Sequence, residues 1–170
     1  MLNSPALNEH IDSYYAASRH PKTQYPQLTG RIEVDTCIIG GGLAGIGAAL
    51  PLAKQGHSVA VLEAARIGFG ASGRNGGQVN PMLPFNTPAQ LRKLLGPNYF
   101  DRLTTTSLDS ADELFTLIKR HGIACDARQN GWLRVCHNEA ALEKAKAGVA
   151  EWNQFGANMN IIDQDELVRR

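Results

Sequence analysis

Three glycines and one acid are the residues whose types and spacing best suit a specific chemistry. Gly40, Gly42 and Gly45 lie in the run Gly40-Gly41-Gly42-Leu43-Ala44-Gly45, a G-x-G-x-x-G pattern, and Glu63 ends the later run Ser58-Val59-Ala60-Val61-Leu62. In such a turn the first glycine permits the tight bend, the second lets a pyrophosphate approach the backbone, and the third lets the next helix pack close to the sheet. A helix starting there turns free N–H groups and a partial positive charge towards the phosphates. An acid at the tip of the following strand accepts hydrogen bonds from a ribose. Together these residues predict a dinucleotide site.

The elements needed to position them flank the turn. Cys37-Ile38-Ile39 reads as a strand entering it, Gly56 closes the helix that leaves it, and the β-branched run before Glu63 returns as a second strand. Leu43, Ile46, Leu50 and Ala53 recur at helical spacing and predict an apolar stripe facing the sheet. Pro51 breaks that pattern at a cost of about 3 kcal/mol, so a kink is expected near Gly47. Past Glu63, the stretch Arg66 to Gln78 carries Gly68, Gly70, Gly73, Gly76 and Gly77 among Ile67, Phe69, Ser72, Arg74 and Asn75. Dense glycine there suits backbone passing close to a large flat ligand, with Ser72, Arg74, Asn75 and Gln78 as side-chain donors.

Composition excludes several classes. The net charge of the 170 residues is +1 with basic and acidic residues interspersed, which argues against a nucleic-acid surface. Cys37, Cys125 and Cys136 are odd in number and lack C-x-x-C spacing, so neither a disulfide framework nor a zinc site is expected, and Cys37 reads as a small buried hydrophobe. No basic segment followed by an apolar core precedes Gly30, and the apolar run around the glycine turn is short and broken by Pro51. A soluble, cytoplasmic protein without a membrane partner is the expectation.

The chain divides into a polar, turn-rich surface segment at 1–30, a βαβ unit with its glycine-rich loop at 31–80, and a helical region at 81–170. A short helix is expected around Ile11 to Ala17, with Tyr14 and Tyr15 anchoring the segment by packing. A short helix near Pro88 to Leu95 precedes a longer one over Asn98 to His121, whose Phe100, Leu103, Leu108, Leu114, Phe115 and Ile118 form a core face. Ile123 to Asp126 and Trp132 to Cys136 read as two strands of a hairpin turning at Asn130-Gly131. Asn138 caps a third helix with a stripe from Leu142 to Phe155, ended by Gly156, and Asp163 opens a fourth. With only two parallel strands assignable and a helix start close to Arg170, the sequence reads as the front portion of a longer polypeptide. None of His10, His20, His57, His121 and His137 has a suitably spaced partner, so no catalytic acid or base is assigned.

With the turn, Glu63 and the loop in view, the chain resembles the FAD-dependent oxidoreductases of the D-amino-acid oxidase type, and within them the gamma-glutamylputrescine oxidases. The resemblance runs from Ser13-Tyr14-Tyr15-Ala16-Ala17-Ser18 through the glycine turn and Leu62-Glu63-Ala64. It is most specific over Arg66-Ile67-Gly68-Phe69-Gly70-Ala71-Ser72-Gly73-Arg74-Asn75-Gly76-Gly77-Gln78, and continues through Gly131-Trp132-Leu133 to Asp163. It departs at Pro51. The implied fold is α/β, the N-terminal part of a Rossmann-like FAD-binding domain with additional helices and a β-hairpin. The implied cofactor is FAD, its pyrophosphate held by Gly40, Gly42, Leu43, Ala44 and Gly45 and its adenosine ribose by Glu63. Ala64, Arg66, Ser72, Gly73, Arg74, Asn75, Gly76, Gly77 and Gln78 follow the dinucleotide towards the isoalloxazine.

The implied reaction oxidises the CH–NH bond of a small amine or amino acid, of the gamma-glutamylputrescine kind, as in putrescine catabolism. Hydride passes to the flavin, the imine hydrolyses, and dioxygen takes the electrons. Two other readings of the same residues stand beside it. A nicotinamide-dependent dehydrogenase uses the same turn, with Glu63 selecting NAD over NADP, but does not need the loop after Glu63. A truncated, catalytically inactive product would carry all these residues and leave strand edges exposed.

Overall fold

The computed structural model describes residues 12–20, 23, 25–80, 83 and 86–169. The chain forms two compact units that divide between Gln78 and Val79.

The first unit is built on a single βαβ crossover. Strand β1 (Thr36–Ile39) and strand β2 (Val59–Leu62) are parallel, with Thr36 opposite Val59 and Ile39 opposite Leu62. Helix α2 (Leu43–Lys54) connects them, as the two stretches of β-branched residues around a helical pattern require. The entry to the sheet is fixed by Asp35 and Ser58. The Ser58 N–H and hydroxyl both donate to Asp35 Oδ2 at 2.8 Å, and the Asp35 N–H donates back to Ser58 Oγ at 2.9 Å. Donation by the Ser58 backbone, then by its hydroxyl, holds the Asp35 carboxyl below its ordinary pKa. A short helix, α1 (Tyr14–Ser18), precedes the strands and is capped by Ser13, whose Oγ accepts from the Ala16 N–H. It overlaps the expected span and runs one residue past its end, and Ile11 falls outside the described residues. Tyr14 is 78% exposed and does not anchor the segment by packing, whereas Tyr15 is partly covered.

Two expectations for this unit are corrected. Leu43 is 74% exposed, and Ile46 and Ala53 are exposed too; the residues turned from solvent are Gly45, Ala49, Leu50 and Leu52. At Gly45 the helix comes so close to the end of β1 that no side chain fits, whereas Leu50 and Leu52 are covered further along. Burial alternates along β1, leaving Cys37 and Ile39 on the face away from α2, where Ile39 is 80% exposed. Cys37 is thus an exposed thiol and not a buried hydrophobe. The helix also continues through Pro51 as one element to Lys54. The N–H that proline lacks would have paired with the carbonyl of Gly47, four residues back.

The second unit is helical. Thr87 and Gln90 form a reciprocal capping box at the start of α3 (Pro88–Leu95). Gly96 at φ 73° joins it to α4 (Pro97–His121), which ends on Gly122 in the left-handed region. Asn138 Oδ1 accepts the Ala141 N–H at 2.8 Å to open α5 (Glu139–Asn153), and Asp163 Oδ1 accepts the Glu166 N–H at 2.7 Å at the start of α6 (Gln164–Arg169). The core is Leu91, Phe100 and Trp152, with Phe155 edge-on to Phe100 at 5.0 Å. The expected core face of α4 is only partly so. Phe100 and Thr104 are buried, Leu108, Phe115 and Ile118 are half-buried, and Leu103 and Leu114 stay exposed.

The hairpin is absent. Residues 123–136 contain no strand, and Trp132, Leu133 and Val135 are about half exposed or more. Gly131 does adopt a positive φ of 90°, whereas Asn130 does not, so the two-residue turn that needs both is not made. Strand-like residue types are insufficient where no ladder partner is reached.

Candidate functional site

The site grows from the glycine turn. Gly40 leaves β1 at φ 102° with its N–H bonded to the Leu62 carbonyl at 2.7 Å, so the turn starts while still paired to β2. Gly45 lies against the Gly40 carbonyl oxygen so closely that a Cβ would overlap it. That contact is the physical reason for the third glycine of the pattern. At Gly42 a Cβ would stand 2.9 Å from the Ser72 hydroxyl.

The middle glycine, an unspecified position in the pattern, is the most buried residue of the turn. A Cβ on Gly41 would overlap the end of Ile67 and reach Glu63. Its carbonyl accepts the Gly68 N–H at 2.9 Å, tying the turn to the loop that follows β2. Sequence reasoning gave Gly41 no role. The signal was available in the run of three consecutive glycines, but its reason is tertiary.

Glu63 immediately follows β2, with its carboxylate against this turn. Oε2 accepts the Gly41 N–H at 2.8 Å and Oε1 accepts the Ala65 N–H at 3.0 Å. Each oxygen keeps a further acceptor position, so the group is held in place by backbone while still able to receive two hydroxyls. A carboxylate fixed in this manner suits the two hydroxyls of a ribose.

Across the turn, Ser72 lies in a 3₁₀ turn (Ala71–Gly73), and its Oγ accepts the Leu43 N–H at 2.9 Å. Ser72 was expected as a donor to ligand; here it first accepts from the opening turn of α2 and keeps its own proton for another partner. The next N–H groups of α2, at Ala44 and Gly45, have no acceptor among the described residues. A helix start with unpaired N–H groups and a hydroxyl beside it offers donors to an anion.

The rest of the loop is held by its own side chains. Gly73 crosses Gly68 so tightly that a Cβ would overlap the Gly68 carbonyl. Arg74 donates from Nε to the Phe69 carbonyl at 2.8 Å with its guanidinium 4.8 Å from the Phe69 ring centre. Asn75 Nδ2 donates to the Ala71 and Ser72 carbonyls, and its Oδ1 accepts the Gly77 N–H at 2.8 Å. These contacts make the stretch an ordered turn rather than a linker, and they occupy both N–H donors of the Asn75 amide. Arg66 is half-buried, whereas Ala64, Gly76 and Gln78 are exposed. Of the residues singled out in the sequence, Gly40, Gly42, Leu43, Ala44, Gly45, Glu63 and Ser72 converge on the first turn of α2. Arg74 and Asn75 shape the loop, and no contact brings Gly76 or Gln78 to that point.

Among the described residues no cluster of His, Cys, Asp or Glu could hold a metal ion, and no helix is long and apolar enough to cross a membrane.

Comparison with known proteins gives a consistent result. Residues 35–170 match the family described as DAO, FAD dependent oxidoreductase. The chain is 35% identical over 164 residues to the Gamma-glutamylputrescine oxidoreductase of Escherichia coli (strain K12), covering 96% of this chain and 38% of that protein. It is 38% identical over 169 residues to the "Probable oxidoreductase OrdL" of Haemophilus influenzae, covering 98% of this chain and again 38% of the relative. An OrdL protein of Rhizobium meliloti is 31% identical over 166 residues, with 93% and 37% covered. The chain therefore spans under two fifths of the length of these curated relatives. No solved structure matches it.

Proposed function

The chain belongs to the DAO family of FAD-dependent oxidoreductases, and on that premise we propose that it forms the adenine-dinucleotide-binding end of an enzyme that oxidises the CH–NH bond of a small amine or amino acid. The observation that carries the cofactor half of this reading is the convergence of Glu63, Ser72 and the unpaired N–H groups of Ala44 and Gly45 on one turn of α2.

The donor set suits FAD. Gly40, Gly42 and Gly45 keep side chains out of the path of the pyrophosphate, Leu43, Ala44 and Gly45 begin the helix that faces it, and Ser72 adds a hydroxyl. Glu63 would receive the adenosine ribose while its two backbone bonds keep it from rotating away. Gly73, Arg74, Asn75, Gly76, Gly77 and Gln78, with Ala64 and Arg66, would border the remainder of the dinucleotide. When bound, FAD supplies the acceptor for the hydride leaving the carbon beside the substrate nitrogen. The contribution of these residues is to hold and orient the cofactor. No acid or base of this chain is assigned to proton transfer.

The substrate class rests on likeness to the E. coli gamma-glutamylputrescine oxidoreductase over nearly all of this chain. It supports an amine substrate; dioxygen is the proposed electron acceptor. The test is anaerobic mixing of the FAD-loaded whole protein with gamma-glutamylputrescine, putrescine and D-amino acids, following the loss of flavin colour. Bleaching by the gamma-glutamyl amine and recolouring with air is the expected result. Bleaching by none of the amines would reject the substrate assignment.

A further inference from the structure

An open cleft of about 290 Å³ lies beside the glycine-rich loop, and one wall of it comes from the N-terminal segment. Tyr15 and Arg19, in α1 and immediately after it, line this space together with Ser72, Gly73 and Gly77, and no acidic residue lines it among the described residues. Arg19 is half-buried, yet no hydrogen-bond or ion-pair partner for its guanidinium is present among the described residues. A guanidinium keeps its charge at any accessible pH and carries five donors in a fixed fork matched to phosphate or carboxylate. A guanidinium on the wall of an open cleft, without an acceptor among the described residues, is available to pair with an anion there.

The position of Ser72 indicates which anion. This residue lines the cleft and, through its Oγ, touches the Leu43 N–H at the start of α2. Ser72 is therefore shared between the wall of the cleft and the turn where the unpaired Ala44 and Gly45 N–H groups lie. The Asn75 amide, also on the wall, is consumed by the Ala71 and Ser72 carbonyls and the Gly77 N–H, which leaves Arg19 as the charged donor of the cleft.

We propose that Arg19 is a phosphate-binding residue, its guanidinium pairing with the pyrophosphate of the bound dinucleotide next to the Ser72 hydroxyl. The N-terminal segment is then part of the cofactor site and not merely a covering of the βαβ unit. This inference rests on the FAD reading above, and the test separates the two.

The probes are ADP, which carries ribose and pyrophosphate without the flavin, and adenosine, which lacks phosphate. Calorimetric titration of the wild-type chain, Arg19→Ala and Arg19→Lys with both probes gives the answer, with a far-UV melt to verify that each variant folds. Arg19→Ala is expected to weaken ADP about tenfold, the lower end of what a charge-assisted hydrogen bond contributes, and to leave adenosine unchanged. Arg19→Lys should recover part of that loss, and the salt dependence of ADP binding should be shallower for Arg19→Ala than for wild type. Equal ADP affinity in wild type and Arg19→Ala overturns the proposal, and so does a variant that loses ADP and adenosine alike, which would make Arg19 a structural residue. A wild-type chain that binds neither ADP nor FAD overturns the dinucleotide reading itself, and this proposal with it.

Discussion

Replacing Gly45 by alanine sets two well-characterised effects against each other. In a helix interior alanine is favoured over glycine by about 1 kcal/mol, so propensity alone predicts a stabler protein. At Gly45, however, the added Cβ overlaps the backbone carbonyl of Gly40, and Ile38 Cγ2 lies at 3.4 Å on the same side. The overlapping atom is not the end of a flexible side chain. Its N–H neighbour is bonded to Leu62 at 2.7 Å, so relief requires moving the end of β1 or the whole of α2. Overpacking of this kind costs about 1–3 kcal/mol, and rigid backbone places the cost at the upper end. The net expectation is a loss of about 2 kcal/mol.

Gly47, one half-turn on in the same helix, is the control, because a Cβ there meets nothing within 4 Å. Gly47→Ala should gain up to about 1 kcal/mol. The pair therefore separates by about 3 kcal/mol, roughly 6–12 °C in Tm for a chain of this size. Thermal and urea unfolding followed by far-UV circular dichroism measure it. Two shifts of the same sign, or a Gly45→Ala chain as stable as wild type, would refute the close approach of α2 to β1 as the reason for that glycine.

Glu63→Gln leaves one carbonyl oxygen to serve two backbone donors, Gly41 and Ala65, and turns an NH₂ towards one of them. Stability should fall by about 1–2 kcal/mol even without ligand, read as a lower urea midpoint; an unmoved midpoint would deny the carboxylate its structural part. Asp35 gives a pH signature. Its folded-state pKa is depressed by Ser58, so its contribution is present above the ordinary aspartate range and is lost as pH falls through the lowered folded value. Asp35→Asn should flatten the acid limb of the stability profile while changing little in its slope near neutrality, and an unaltered acid limb would count against the Asp35–Ser58 clamp.

What could be read from the sequence was what local chemistry decides. The caps at Asn138 and Asp163 and the stop at Gly122 depend on residues within a few positions of each other, and each forms as expected. The glycine turn was legible for the same reason, since φ 102° at Gly40 and the crowding at Gly45 follow from one supersecondary unit. The inward face of α2 was misread because apolar size was taken as the mark of burial. Where α2 comes closest to β1 the covered position is Gly45, and size is no guide there. The hairpin over residues 123–136 failed for a different reason: alternating apolar residues describe a strand only once a partner supplies the ladder. The contacts Gly41–Glu63, Leu43–Ser72 and Asp35–Ser58 span 22, 29 and 23 residues, and no periodicity in the chain announces them.

The central claim is that the first turn of α2, with Glu63 and Ser72, holds the adenine-dinucleotide end of FAD. Equilibrium dialysis of the purified protein against FAD, followed by challenge with ADP and in parallel with NADH, tests it most directly. The expected result is one FAD retained per chain, displaced by ADP at the same site. Retention of no FAD alongside tight binding of NADH, or FAD that ADP fails to displace, would contradict it.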